Sequence, residues 1–222
     1  MKPRRVALDA SLLKAMAHPL RLRILGALRI AGPSTASRLA EQLGESSGLT
    51  SYHLRTLAAA GLVEDDPDRG TGRDRWWRAA HDVSSFRTSD FEGTEAAGAA
   101  DWLVSAADQM REREVATWSA QQGDWPAAWR DVSDRSDYYL LATTDELRAL
   151  TDSVHQLLRA AMTTTIARRD GDEPVPPDAE HVRLHMLAFP VREAAGIRLA
   201  PPRDTGDAAE RDTTEPGDAI DT

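Results

Sequence analysis

Apolar residues recur at helical spacing in four successive stretches near the start of the chain, and each stretch is closed by a residue that breaks helices. The first runs from Leu8 to Met16 and ends at His18-Pro19. Pro19 then stands where a first helical position tolerates proline, ahead of Leu20, Leu22, Ile24, Leu25 and Leu28. The third places Ala36, Leu39, Ala40 and Leu43 behind the capping candidates Ser34 and Thr35, and Gly44 supplies a left-handed stop. The fourth keeps Leu49, Leu54, Leu57 and Ala58 for a core and ends at Gly61. Beyond Gly61 the pattern becomes extended. Leu62-Val63 leads into the Pro- and Gly-punctuated EDDPDRGTGRD and returns as Arg75-Trp76-Trp77-Arg78, which predicts a β-hairpin. Trp76 and Trp77 point to opposite faces of that strand, so one packs on the core.

Further along, helical spacing resumes from Thr94 to Gln122, with Leu103, Ala106, Ala107, Met110, Thr117 and Trp118 near one face. Gly123 and Pro126 interrupt it. Asp137-Tyr138-Tyr139-Leu140-Leu141-Ala142 reads as a strand, and Thr143 to Glu146 has the spacing of a capping box opening a helix through Leu147, Leu150, Val154, Leu157, Leu158 and Ala161. Val182 to Phe189 reads as a second strand. This order predicts a right-handed β-α-β crossover with the long helix alongside. A two-stranded sheet buries little in water, so a second copy of the chain is expected to cover it. Residues 193–222, rich in Pro, Gly, Asp, Glu and Thr, predict a disordered acidic tail.

The fourth helix carries candidate chemistry. Ser47, Thr50, Ser51, Tyr52, His53 and Arg55 give it short hydroxyl donors, an aromatic and basic groups, a set suited to the major groove of double-stranded DNA. Arg69, Arg73 and Arg75, on or beside the hairpin tip, can reach phosphates or an adjacent minor groove. The runs LLKAMAHPLRLRILGAL, SRLAEQLG, GLTSYHLRTLAAAGLVE and RGTGRDRWWR, in that order over residues 8–80, resemble the winged-helix domain of ArsR-type bacterial transcriptional regulators. With an extension after the wing, the chain looks like the larger actinobacterial forms. The resemblance implies that the helix at 46–60 enters the major groove, that the wing touches the flanking backbone, and that a homodimer reads a palindrome. The expected fold is thus mainly α with a small β component. A winged helix-turn-helix domain (1–87) is followed by an α+β helix-strand-helix-strand domain for dimerisation and effector binding (88–192) and by the tail (193–222).

Charge is divided along the same line. The first 80 residues carry 13 Lys and Arg against 8 Asp and Glu, and the remainder carries 14 against 28, so the net charge of −9 conceals a basic amino-terminal module. The chain has no cysteine, which excludes the thiolate metal sensing found in many ArsR-type regulators. His181 and His185 lie too far apart along one strand face to share an ion, so neither metal nor cofactor is expected. No apolar run approaches the ~20 residues of a membrane span, and nothing near the start reads as a secretory signal, so a cytoplasmic protein without a membrane partner is expected.

Trp102, Met110, Trp118, Trp125 and Trp129 have two readings. They could line a site for a small apolar effector, or they could form the core and dimer seam, the more common fate of tryptophans at helical spacing. No phosphate-cradling loop, nucleophile elbow or zincin motif marks an enzyme. Alternatives to the regulator are a protein-interaction adaptor that docks through the winged helix, and a small-molecule-binding protein with a vestigial DNA module.

Overall fold

The computed structural model describes residues 2–67, 69, 75–194 and 196–199. The chain divides into two units, Met1–His185 and Met186–Thr222. The first begins with β1 (Arg5–Ala7), α1 (Ala10–Met16), α2 (Pro19–Ala31), β2 (Ser34–Thr35), α3 (Ala36–Leu43) and α4 (Ser47–Ala59). It continues through β3 (Val63–Asp65), β4 (Trp76–Ala79) and β5 (Val83–Ser85). Each early helix starts at a residue whose side chain accepts an otherwise unpaired amide: Asp9 for α1, His18 for α2, Thr35 for α3 and Ser46 for α4. Gly44 ends α3 in the left-handed region at φ 68°, where a side chain would be strained, and the sharp turn this allows sets α4 across α3.

The wing strands form a three-stranded antiparallel sheet in the order β2-β4-β3, with Ser34 opposite Trp77 and Val63 opposite Ala79. Trp77 is buried and Trp76 half-buried, as alternation along a strand requires. Three-residue β1 pairs in parallel with β5, Arg5 opposite Val83, and returns the start of the chain to the end of the wing. One core joins these elements through Leu13, Ile24, Leu28, Leu39, Leu54, Leu57 and Leu62.

After a 3-10 turn at Thr88–Phe91 come α5 (Ala97–Gln121), α6 (Ala127–Asp131) and α7 (Thr144–Asp170). Ala96, Ala100 and Leu103 join the winged-helix core, whereas the rest of α5 is not buried. The capping box of α7 is complete: Thr143 accepts the Glu146 amide and Glu146 accepts that of Thr143. Its other end is tied down by ions. Arg169 donates to Asp82 at 3.0 Å and to the Arg29 carbonyl at 3.3 Å, and Asp82 also accepts the Arg4 amide at 2.8 Å. Burial alone would raise the Asp82 carboxyl, but these donors hold it below its ordinary value. Burial pushes Arg29 down to about 10, opposed by Asp82.

The mainly helical class with a small β component holds, but its strands lie elsewhere in the second half. Residues 137–142 and 182–189 form neither helix nor ladder, so the expected β-α-β crossover does not form among the described residues. The cause is non-local: strand composition makes a strand only where a second strand supplies the other half of each hydrogen-bonded pair. Leu141 is 88% exposed, and Tyr138, Tyr139 and Leu140 are also solvent-facing. The 182–185 stretch is held by Arg183 and His185, each 3.0 Å from Glu114 of α5. In the second unit, β6 (Glu193–Ala194) and β7 (Ile197–Arg198) form a minimal hairpin around Gly196. Residues 200–222 of the expected tail lie outside the described residues.

Candidate nucleic-acid interface

α4 turns Thr50, His53, Leu54 and Leu57 inward, a stripe at the i, i+3, i+4, i+7 positions of one helix face. Two of these, Thr50 and His53, were expected at the groove from their polarity. The structure instead buries both, Thr50 wholly and His53 with 4% exposure, because they share the phase of Leu54 and Leu57. The opposite error concerns Leu49, expected in the core and 42% exposed. The outward face therefore consists of Ser47, Gly48, Leu49, Tyr52 and Arg55, with Ser51 half-exposed at its margin. Tyr52 is 57% exposed, and an added Cβ at Gly48 would meet nothing within 4 Å, so this face admits close approach.

The wing arginines are engaged by wing acids. Arg75 donates to Asp65 at 2.9 Å and its guanidinium lies 4.1 Å from the centre of the Trp77 ring. Arg69 lies 3.7 Å from Asp66, and Arg78 donates to Glu64 at 2.9 Å. The Arg75–Asp65 and Arg78–Glu64 pairs are exposed and worth about 0 to 1 kcal/mol each, so a phosphate can replace those carboxylates at little cost, whereas Asp66 is buried. Arg73 lies outside the described residues. A further exposed cation joins this face: Arg38 of α3 stacks on Trp76 at 4.9 Å, linking the helix before the turn to the wing. Polarity alone gave no sign of it, since its partner lies across the sheet.

Behind α4, the His53 ring lies 4.4 Å from that of His18, the α2 cap, whose Nδ1 accepts the Leu20 amide at 3.1 Å. Burial lowers the affinity of both imidazoles for a proton, and Arg21 adds to the effect on each.

The five aromatic and Met positions considered for an effector do not converge on one cavity. Trp102 packs against the winged-helix core, Trp118 and Trp125 meet at 6.1 Å, Trp129 is half-buried and Met110 is exposed. The groove beside the first half of α5 has a mixed lining, with Ala97 and Val104 among Thr88, Glu92, Asp101, Asp108 and Glu112. Among the described residues no set of three or more His, Asp or Glu converges as metal ligands, and no helix is long and apolar enough to cross a membrane.

Residues 16–66 match a family model described as a helix-turn-helix domain. Similar solved structures include reduced HlyU from Vibrio cholerae, 32% identical over 31% of this chain and 68% of that one, with a TM-score of 0.28. Another is the homodimeric winged helix-turn-helix DNA-binding domain Mb0332 from Mycobacterium bovis, described as a possible ArsR-family transcriptional regulator. It is 32% identical over 32% of this chain and 62% of that fragment, with a TM-score of 0.29. The transcriptional repressor BigR from Xylella fastidiosa is 25% identical over 44% of this chain and 80% of its own, with a TM-score of 0.28. No curated protein matches the chain. The matched segment, with its capped α3, the Gly44 turn, α4 and the wing sheet, makes the amino-terminal part of this chain a winged helix-turn-helix domain.

Proposed function

We propose that the chain is a sequence-specific transcriptional regulator of the ArsR type that acts in the cytoplasm as a homodimer on a palindromic operator. The observation that carries this reading is the outward face of α4, where Ser47, Ser51, Tyr52 and Arg55 stand clear of the core beside Arg38 and the wing arginines. Ser, Tyr and Arg there supply hydrogen bonds to base edges and phosphates, and Arg69, Arg73 and Arg75 add affinity without sequence choice. In this reading residues 1–87 bind DNA and 88–192 join the two copies, with exposed Val104, Met110 and Val115 of α5 at the seam.

The reading extends to repression relieved by a small apolar ligand at the Trp118–Trp125 contact, where two indoles already meet. Quenching or blue-shift of tryptophan fluorescence on adding apolar aromatic compounds tests that part.

The decisive experiment recovers duplexes bound by the full chain from a random pool and titrates the best against unrelated DNA at several salt concentrations. A regulator binds the recovered duplex at least about a thousandfold more tightly and loses affinity steeply with salt. Equal, salt-insensitive binding to both would leave the adaptor reading in its place. Sedimentation of the full chain at micromolar concentration tests the dimer, and a monomer there would remove it.

A further inference from the structure

The two histidines behind α4 have no part in the outward face, yet they sit where α4 is seated. His18 caps α2 with the lone pair of Nδ1, and its ring lies 4.4 Å from that of His53 at a tilt of 39°. The Nδ1 of His53 is sealed from solvent and has no hydrogen-bond partner among the described residues, and the same holds for the hydroxyl of Thr50 one turn earlier. α4 therefore lies on α2 by packing alone at these two positions, and moving away costs neither group a hydrogen bond. The groups facing the pair are mostly cationic or already paired. Arg21 of α2 reaches the Ala15 and Lys14 carbonyls of α1, Glu45 before α4 is paired with Arg23 at 3.1 Å, and Lys14 is paired with Glu95 ahead of α5 at 3.2 Å. Tyr52 meets the His53 ring edge-on at 5.1 Å.

We propose that the His18–His53 pair is a proton-operated switch that seats the recognition helix when both imidazoles are neutral and releases it when they are protonated. Three consequences of protonation act in the same direction. A proton on Nδ1 of His18 takes the lone pair that caps Leu20 and puts positive charge at the positive end of α2. A protonated His53 would carry a buried N–H with no acceptor. Two imidazolium rings at this separation repel each other and both repel Arg21, while Glu45 opposes the effect at His53. Because the seated form holds both groups below the ordinary value of 6.5, seating is complete above that pH and is lost progressively as the pH falls beneath it.

The DNA consequence rests on the regulator reading, but the switch itself is measurable without DNA. In the full chain, the imidazole proton signals are followed from about pH 8 to pH 5, with His18→Asn and His53→Gln identifying the two resonances. Hydrogen exchange of the α4 amides is read as protection factors at about pH 7.5 and 5.5. Asn keeps a cap acceptor at position 18 but cannot titrate. Expected are two histidines titrating below 6.5 and an α4 protection factor that drops about tenfold or more at the lower pH, with α7 unchanged. In the double variant α4 protection is expected to be independent of pH. If that variant is unfolded by circular dichroism, His18→Asn alone serves, and halving or less of the wild-type loss is expected.

Titration of both histidines at or above 6.5, a pH-independent α4 in the wild type, or the same loss in the non-titrating variant would each overturn the switch. A duplex recovered from a random pool at about pH 7.5 is expected to bind at least tenfold more weakly at about pH 5.5, and to do so only with the histidines present. Failure to recover any duplex would count against the regulator reading, while the titration and exchange results still decide the switch.

Discussion

Orientation on α4 separates residues that the letters of the sequence group together. Thr50 and Ser51 are both hydroxyl residues at the start of the same helix, but Thr50 is buried with no partner for its oxygen and Ser51 reaches the surface. Burying an unbonded hydroxyl costs about 1 to 3 kcal/mol, so Thr50→Val, which keeps the shape and removes the oxygen, is expected to raise the melting temperature and leave DNA affinity unchanged. Calorimetry and a duplex titration check this together. A loss of affinity at unchanged stability would return Thr50 to the groove. Tyr52→Ala and Arg55→Ala are expected to do the reverse, lowering affinity without lowering the melting temperature.

At the scale of elements, what the sequence made legible was local and what it concealed was not. Thr35, the Thr143–Glu146 box and Gly44 are legible because a cap and the amide it accepts, or a turn and the helix it ends, lie within a few residues of each other. Gly44→Ala forces a side chain into the left-handed region and is expected to cost about 1 to 2 kcal/mol, measured as a shift of the denaturant midpoint at constant m. β1 and β5 had no such signal, since Arg5–Ala7 and Val83–Ser85 become strands only by meeting each other. The segments at 137–142 and 182–189 fail for the converse reason, having strand composition and no mate. Thr50 and His53 were misread from polarity although Leu54 and Leu57 already fix the phase that turns them inward. Arg38 belongs here too, because it joins α3 to β4. Arg38→Ala is expected to lower affinity for all duplexes alike and to flatten the salt dependence by about one unit of slope. A change in base preference at constant slope would instead make Arg38 a reader of bases.

For the molecule as a whole, the clasp of Arg4, Asp82 and Arg169 ties the end of α7 to the winged helix, and its carboxylate sets its response to acid. The Asp82 value in the folded chain lies below the ordinary 3.8, so the carboxylate stabilises the fold fully above that pH and loses its contribution as the pH falls through the lower folded value. Asp82→Asn is expected to lower the melting temperature near neutral pH and to reduce the slope of stability against pH below about 4. An unchanged acid slope would place that sensitivity elsewhere. α5 differs from this clasped end, because the winged-helix core holds it only over its first two turns, at Ala96, Ala100 and Leu103. At about 1.5 Å per residue, the span from Leu103 to Gln121 is a moment arm of roughly 27 Å with its fulcrum on the α1 side of the reading head. A tilt of about 5° at the fulcrum sweeps the far end through roughly 2 Å, a displacement large against side-chain packing tolerances. Leverage runs both ways, so whatever grasps the tip near Trp118 gains a mechanical purchase on the helices that carry α4.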